Sequence, residues 1–135
     1  MRVIFLLGLL CVVAGLCYVR FAPSDPAVWN VPVEGTGNLD LPGGALRIIS
    51  GDGATFEAAD AYMRALPRTK VLAGSVADGR ITYVTRSRVF GFPDYTTLEL
   101  SDGRLRMFAR SRFGHSDLGV NRERLEGLMA ALQRG

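Results

Sequence analysis

From Val3 to Val19 the chain reads VIFLLGLLCVVAGLCYV, an apolar run with no charge, bracketed by Arg2 and Arg20. As a helix this run spans about 26 Å, and with Phe21 and the arginine stems it reaches across a bilayer core. The pattern then changes. Residues 22–44 hold four prolines and four glycines, which predicts an extended arm or linker. Within it Trp29 and the alternation Val31, Val33 suggest partial attachment to the domain beyond.

Short periodic segments occupy the remainder. ALRIIS (45–50) predicts a strand closed by the turn GDG. In 54–66 the residues Phe56, Ala59, Met63 and Leu66 recur at helical spacing, and Pro67 ends the segment. Strands are expected at 69–76, 80–89, 95–100 and 104–113, with ADG and SDG as hairpin turns and GFPD as a break. A last helix carries Leu125, Leu128, Met129 and Leu132 as its stripe, with Asn121 or Asp117 as a cap. The order strand, helix, four strands, helix predicts an α+β fold. It is an antiparallel four- to five-stranded meander sheet with two helices on one face, similar to a reduced helix-grip arrangement, preceded by an N-terminal transmembrane helix. The expected division is an anchor at 1–21, a Pro/Gly-rich arm at 22–44 and an α+β domain at 45–135.

The competing reading of the first segment is a cleaved signal peptide. A cut after Ala22 would place Arg20 third from the end and Pro23 just beyond it, both unfavourable. A cut after Cys17 is a weaker possibility. Leu10 and Leu16 precede the two cysteines where a lipid-attachment site wants a small residue. The balance favours an uncleaved anchor. The α-amine and Arg2 lie before the span, and Arg20 is followed by Asp25 and Glu34 before the next arginine. This asymmetry favours an inner-membrane protein with its domain in the periplasm. Cys11 and Cys17 are the only cysteines, so the domain has neither a disulfide nor a thiolate metal site.

Charge adds a second division. Residues 23–79 hold four basic against seven acidic groups, whereas residues 80–135 hold ten basic against six acidic. Those ten are all arginines, the side chain suited to bidentate pairing with carboxylates and phosphates. Two stretches nearly repeat: TRSRVFGFPD (85–94) and ARSRFGHSD (109–117). The strands that end in these motifs run the same way through the meander, so both corners reach one end of the sheet. Alternation places Ile81, Tyr83 and Val89 toward the core and Arg86 and Arg88 outward. It likewise turns Arg104, Arg106, Arg110 and Arg112 to one face and Leu98 and Leu100 away from Glu99. A purely structural account pairs Glu99 with arginines across the sheet and uses Asp94 and Asp117 to orient arginines or cap turns. That account leaves a surplus of positive charge, to which Arg122 and Arg124 at a helix start add. The candidate ligand-binding set is therefore Arg86, Arg88, Asp94, Arg110, Arg112, Ser116, Asp117, Asn121 and Arg122.

Catalysis finds little support. His115, Ser116 and Asp117 are consecutive, and adjacency in a turn does not make side chains converge. One histidine and scattered aspartates show no metal-loop spacing, and no phosphate-binding glycine loop is present. No cofactor is expected, and nucleic-acid binding does not suit an exported, tethered domain.

The stretch YVTRSRVFGFPD followed by ARSRFGHSDLGVNRERLEGL resembles the signature of an uncharacterised family, domain of unknown function fourteen ninety-nine. The matching positions are Arg86, Ser87, Gly91, Phe92, Pro93 and Asp94, then Ser111, Arg112, Gly114, Ser116, Asp117, Gly119, Asn121, Arg122 and Arg124. The segment DPAVWNVPV is similar to an early part of such proteins. The resemblance implies a small protein of a bacterial envelope or plastid, with no assigned activity, and places His115 at a variable position. The expected function is non-catalytic binding of an anionic partner, a lipid head group, phosphate or acidic envelope protein, at the arginine end of the sheet. The alternatives are an enzyme of unknown class around Asp94, Ser116 and Asp117, and a structural subunit of a membrane complex that uses the Gly8–Gly15 side of the anchor.

Overall fold

Helix α1 (Arg2–Phe21) takes up the whole uncharged run in the computed structural model, which describes residues 1–135. Its mean hydropathy of 2.4 and its length are those of a membrane span or a signal sequence. It stops at Ala22, whose ψ of 129° is extended, as the clash with the ring of Pro23 requires. The arm then makes one turn of helix, α2 (Pro26–Trp29), begun by the Asp25 carboxylate, which accepts from Ala27 N at 2.9 Å, and by Pro26 at the first helical position.

The sheet has six antiparallel strands. In chain order the elements are β1 (Leu39–Leu41), β2 (Gly44–Ser50), α3 (Gly53–Ala65), β3 (Thr69–Ser75), β4 (Arg80–Arg86), β5 (Pro93–Ser101), β6 (Arg104–Ser111) and α4 (Val120–Arg134). Their spatial order is β1-β2-β6-β5-β4-β3. The fold is the expected α+β arrangement with one strand more than four or five. The extra strand is β1, three residues long among prolines and glycines, too short to show a period. It pairs Leu39 with Leu46 and Leu41 with Gly44. A second difference concerns Val89, expected in the core but 77% exposed. Strand β4 ends at Arg86 because Ser87 closes a turn instead of continuing the ladder. Its N–H donates to Phe92 O and its hydroxyl accepts from Phe92 N, both at 2.9 Å, and Gly91 takes a φ of 70°.

Alternation along the strands sorts the residues into two faces. Tyr83, Leu98 and Met107 meet Phe56 and Met63 of α3 and Leu125 of α4 in the main core, where each large side chain stabilises by about 1.5–3 kcal/mol. A capping box fixes the start of α3: Asp52 accepts from Thr55 N at 2.9 Å, and Thr55 Oγ1 accepts from Asp52 N. These Thr55 contacts hold the Asp52 carboxyl below its ordinary value. Arg47 is the one buried charge on this face of β2. Its guanidinium meets Asp40 of β1 at 2.6 Å and Glu126 of α4 at 2.9 Å, so it joins the sheet edge to the helix layer. Burial works against that charge, but the two carboxylates outweigh it and raise the Arg47 pKa.

The second face is covered by the arm. The Trp29 ring stacks on Tyr95 with centroids 4.0 Å apart and planes 14° from parallel. Asn30 Oδ1 accepts from the Thr82 hydroxyl at 2.9 Å, and Val33 is buried. The two ends of the sheet also differ. Gly51 N donates to Gly103 O and Leu100 N to Gly79 O, which gathers the turns bearing Asp52, Asp78 and Asp102 at one end. The opposite end carries both arginine corners and receives the end of α1.

Candidate functional site

The first corner opens onto a cleft. Arg86 closes β4, and its Nη1 donates to Gly91 O at 2.9 Å, holding the 87–91 turn. Arg68 holds Arg86 from the neighbouring strand: its carbonyl accepts from Arg86 N and its Nε donates to Arg86 O, each at 3.0 Å. Arg68 adopts a left-handed φ of 53° between Pro67 and β3 to do this. Between this strand pair and the end of α1 lies a cleft of about 670 Å³. Leu72 and Val84 supply apolar wall, and Arg20, Arg68, Lys70, Arg86 and Arg88 supply five cations. None of the thirteen lining residues is acidic. The five ion pairs of the structure all lie elsewhere, at Arg47 (two), Arg64, Arg80 and Arg124. Like charges so gathered focus a positive potential that an anion relieves. Glycine suits position 91 because the turn needs a left-handed φ of 70° there, and the Arg20 guanidinium lies against it.

The second corner spends its arginines on the arm. Arg110 donates to Trp29 O at 2.6 Å, to Thr97 Oγ1 at 2.7 Å and to Phe108 O at 3.2 Å. Its guanidinium carbon lies 4.9 Å from the Phe108 ring centroid and 5.6 Å from that of Trp29. All its hydrogen-bond acceptors are neutral, so burial lowers its pKa to about 10. Arg112 donates to Pro23 O at 2.8 Å and to the Tyr95 hydroxyl at 3.3 Å. Ser24 meets that same hydroxyl at 2.6 Å.

The corner aspartates and their neighbours form a separate group under α4. Asp94 projects from the helix-side face of β5, opposite to Arg86 and Arg110, and lies 3.4 Å from Arg124 Nη2. Burial raises its pKa against the opposing pull of Ser111 and Arg124. Asp117 accepts from Gly119 N at 2.9 Å, Asn121 N at 3.0 Å and Asn121 Nδ2 at 2.7 Å, which starts α4. Burial opposes its charge, but these Asn121 and Gly119 donors hold its pKa below the ordinary value. Asn121, fully buried, also donates to Ser111 Oγ at 3.1 Å and accepts from Arg124. Ser116 accepts from Leu118 N at 3.3 Å, and Arg122 projects outward beside Gly119.

The nine residues singled out in the sequence therefore fall into three places. Arg86 and Arg88 line the cleft. Arg110 and Arg112 clamp the arm. Asp94, Ser116, Asp117 and Asn121 build the entry to α4, and Arg122 sits exposed at its first turn. Sequence reasoning missed Arg20, Arg68 and Lys70. A signal existed for Lys70, which is the chain's only lysine. Arg68 and Arg20 reach the cleft only through the β3–β4 pairing and the course of α1.

The family model described as Protein of unknown function (DUF1499) matches residues 45–132. That range begins in β2 and ends in the last turns of α4, so it takes in both corners and leaves out α1, α2 and β1. No curated protein matches the chain.

Proposed function

This chain belongs to the DUF1499 family of proteins of unknown function, and we propose that it is a non-catalytic, membrane-tethered binding module for a phosphate-bearing anion. In this reading α1 is a single span of the inner membrane and the domain faces the periplasm. The ligand sits in the cleft between α1 and the β3–β4 edge. The observation that carries the reading is the cleft itself: five cations, no carboxylate, at the point where an apolar helix of bilayer length ends. Lys70 and Arg88 would bind the anion with side chains that the domain does not otherwise use. Arg68 and Arg86 would contribute from fixed positions, since each is already held by backbone contacts. The apolar wall of Leu72 and Val84 suits the glycerol or acyl part of a lipid whose phosphate meets the guanidinium groups.

The test is calorimetric titration of the full chain in neutral detergent with a short-chain phosphatidic acid and, separately, with inorganic phosphate. Binding of the lipid should weaken by about tenfold or more in Lys70→Ala/Arg88→Ala, given about 1 kcal/mol per cation, and should fall with salt. Equal affinity in the variant would refute the cleft as the site. Tight binding of phosphate with none of the lipid would make a soluble anion the ligand.

A further inference from the structure

Within residues 45–135 five large apolar side chains are exposed, and all five sit at the two corners: Val89, Phe90 and Phe92 in the loop of one, Leu118 in the loop of the other and Val120 at the first position of α4 just after it. Isolated exposed apolar residues are ordinary on protein surfaces, but a clustered set marks an interaction site. Leu118 sharpens the point. It holds a left-handed φ of 55°, uncommon for any residue other than glycine, yet its side chain is 91% exposed. Packing inside the domain therefore gives no reason for a leucine there.

The position of these loops identifies what they meet. Both lie at the end of the sheet reached by α1, and α1 touches each of them. Arg20 lies against Gly91 in the first loop. Tyr18 meets Phe113 of the second edge to face, with ring centroids 6.1 Å apart. Tyr18 is a full turn inside the apolar helix, so the second loop is level with the last turn of α1 rather than beyond it. Cations flank the apolar tips, with Arg88 before Val89 and Arg122 after Val120. Apolar and aromatic tips within a cationic collar are the composition of the membrane–water interface. The carboxylates Asp52, Asp78 and Asp102 occupy the turns at the other end of the sheet.

We propose that the two corner loops dip into the lipid interface beside α1, so that the domain lies against the bilayer with Val89, Phe90 and Leu118 inserted. This inference rests on α1 being retained as an anchor, but not on the anion cleft. The partner it needs is a lipid surface of any charge.

Spin-label accessibility tests it on the full chain. With Cys11→Ala and Cys17→Ala as background, single labels at Val89→Cys, Leu118→Cys and Asp102→Cys are compared in vesicles of neutral phosphatidylcholine. The labels at positions 89 and 118 should favour relaxation by oxygen, which concentrates in lipid, over a water-soluble nickel reagent. The label at 102 should show the reverse. Nickel accessibility at 89 and 118 equal to that at 102 would overturn the proposal. Shielding from both reagents would also overturn it, since it would mean burial against protein. Retention of the lipid signal in Lys70→Ala is the expected result, because Lys70 lines the cleft and lies in neither loop. A chain that the vesicles do not retain would overturn the anchor and this inference together.

Discussion

The two arginine corners share a sequence pattern and a position in the fold, yet their arginines do opposite work. Arg110 and Arg112 reach across the second face of the sheet and grip carbonyls of the arm, at Trp29 and Pro23. Arg86 grips only its own turn, and Arg88 and its neighbour Lys70 grip nothing. The difference comes from the strands beside them. The arm contacts Thr82 of β4 as well as β5 and β6, and its carbonyls at Trp29 and Pro23 lie where Arg110 and Arg112 reach them. Beside β4 lies β3, an edge strand that bears Lys70 and is preceded by Arg68, which supplies more cations. The same motif is thus a clamp where acceptors are at hand and keeps unpaired cations where they are not.

The largest expected effect comes from removing the arm's anchor. Trp29→Ala deletes the ring stacked on Tyr95 and should destabilise by about 3 kcal/mol, read from chemical denaturation followed by circular dichroism. Loss of under half that would mean that the arm is not a structural part of the second face. Arg110→Ala should follow at about 2 kcal/mol, because it removes charged hydrogen bonds to Trp29 O and Thr97. A neutral result there would erase the distinction between the corners.

The corner aspartates differ in the sign of their pH dependence. Asp117→Ala should lose about 1 kcal/mol at neutral pH as the start of α4 is uncapped. The Asp117 pKa is lowered by folding, so its contribution is present above the ordinary value near 4 and is lost as pH falls through the lower folded value. The Asp94 pKa is raised by folding, so its contribution is greatest when protonated and declines as pH rises through the raised value. The deficit of Asp117→Ala should therefore shrink in acid. A constant deficit from neutral to acid pH would mean that the carboxylate charge is not what starts the helix.

The smallest effect on stability should come from the open corner. Lys70→Ala and Arg88→Ala should each change stability by no more than about 0.5 kcal/mol while weakening anion binding. A larger loss of stability would show that these cations have partners in the fold and would close the gap between the two corners.

Much of the architecture was legible because hydrophobic period is a local property. Helical spacing at Phe56, Ala59 and Met63 and the turn triplets GDG, ADG and SDG placed α3 and the meander within a few residues of their observed bounds. Three features were not legible, the helical turn α2 inside the arm among them. Strand β1 has no period of its own and exists because Leu39 and Leu41 find β2. The end of β4 was misplaced because the alternation through Val89 continues in sequence while the Ser87 turn breaks it in space.

By itself the sequence determined the apolar helix, the α+β order, the excess of arginine in the second half and the meeting of both corners at one end of the sheet. All of these stem from composition, period and strand parity. Which arginines are free was decided only by the tertiary structure. Whether a guanidinium is used up depends on acceptors that arrive from elsewhere in the chain, such as Trp29 O, 81 residues from Arg110. It also depends on cations from β3 and α1 that no local pattern connects to Arg86 and Arg88.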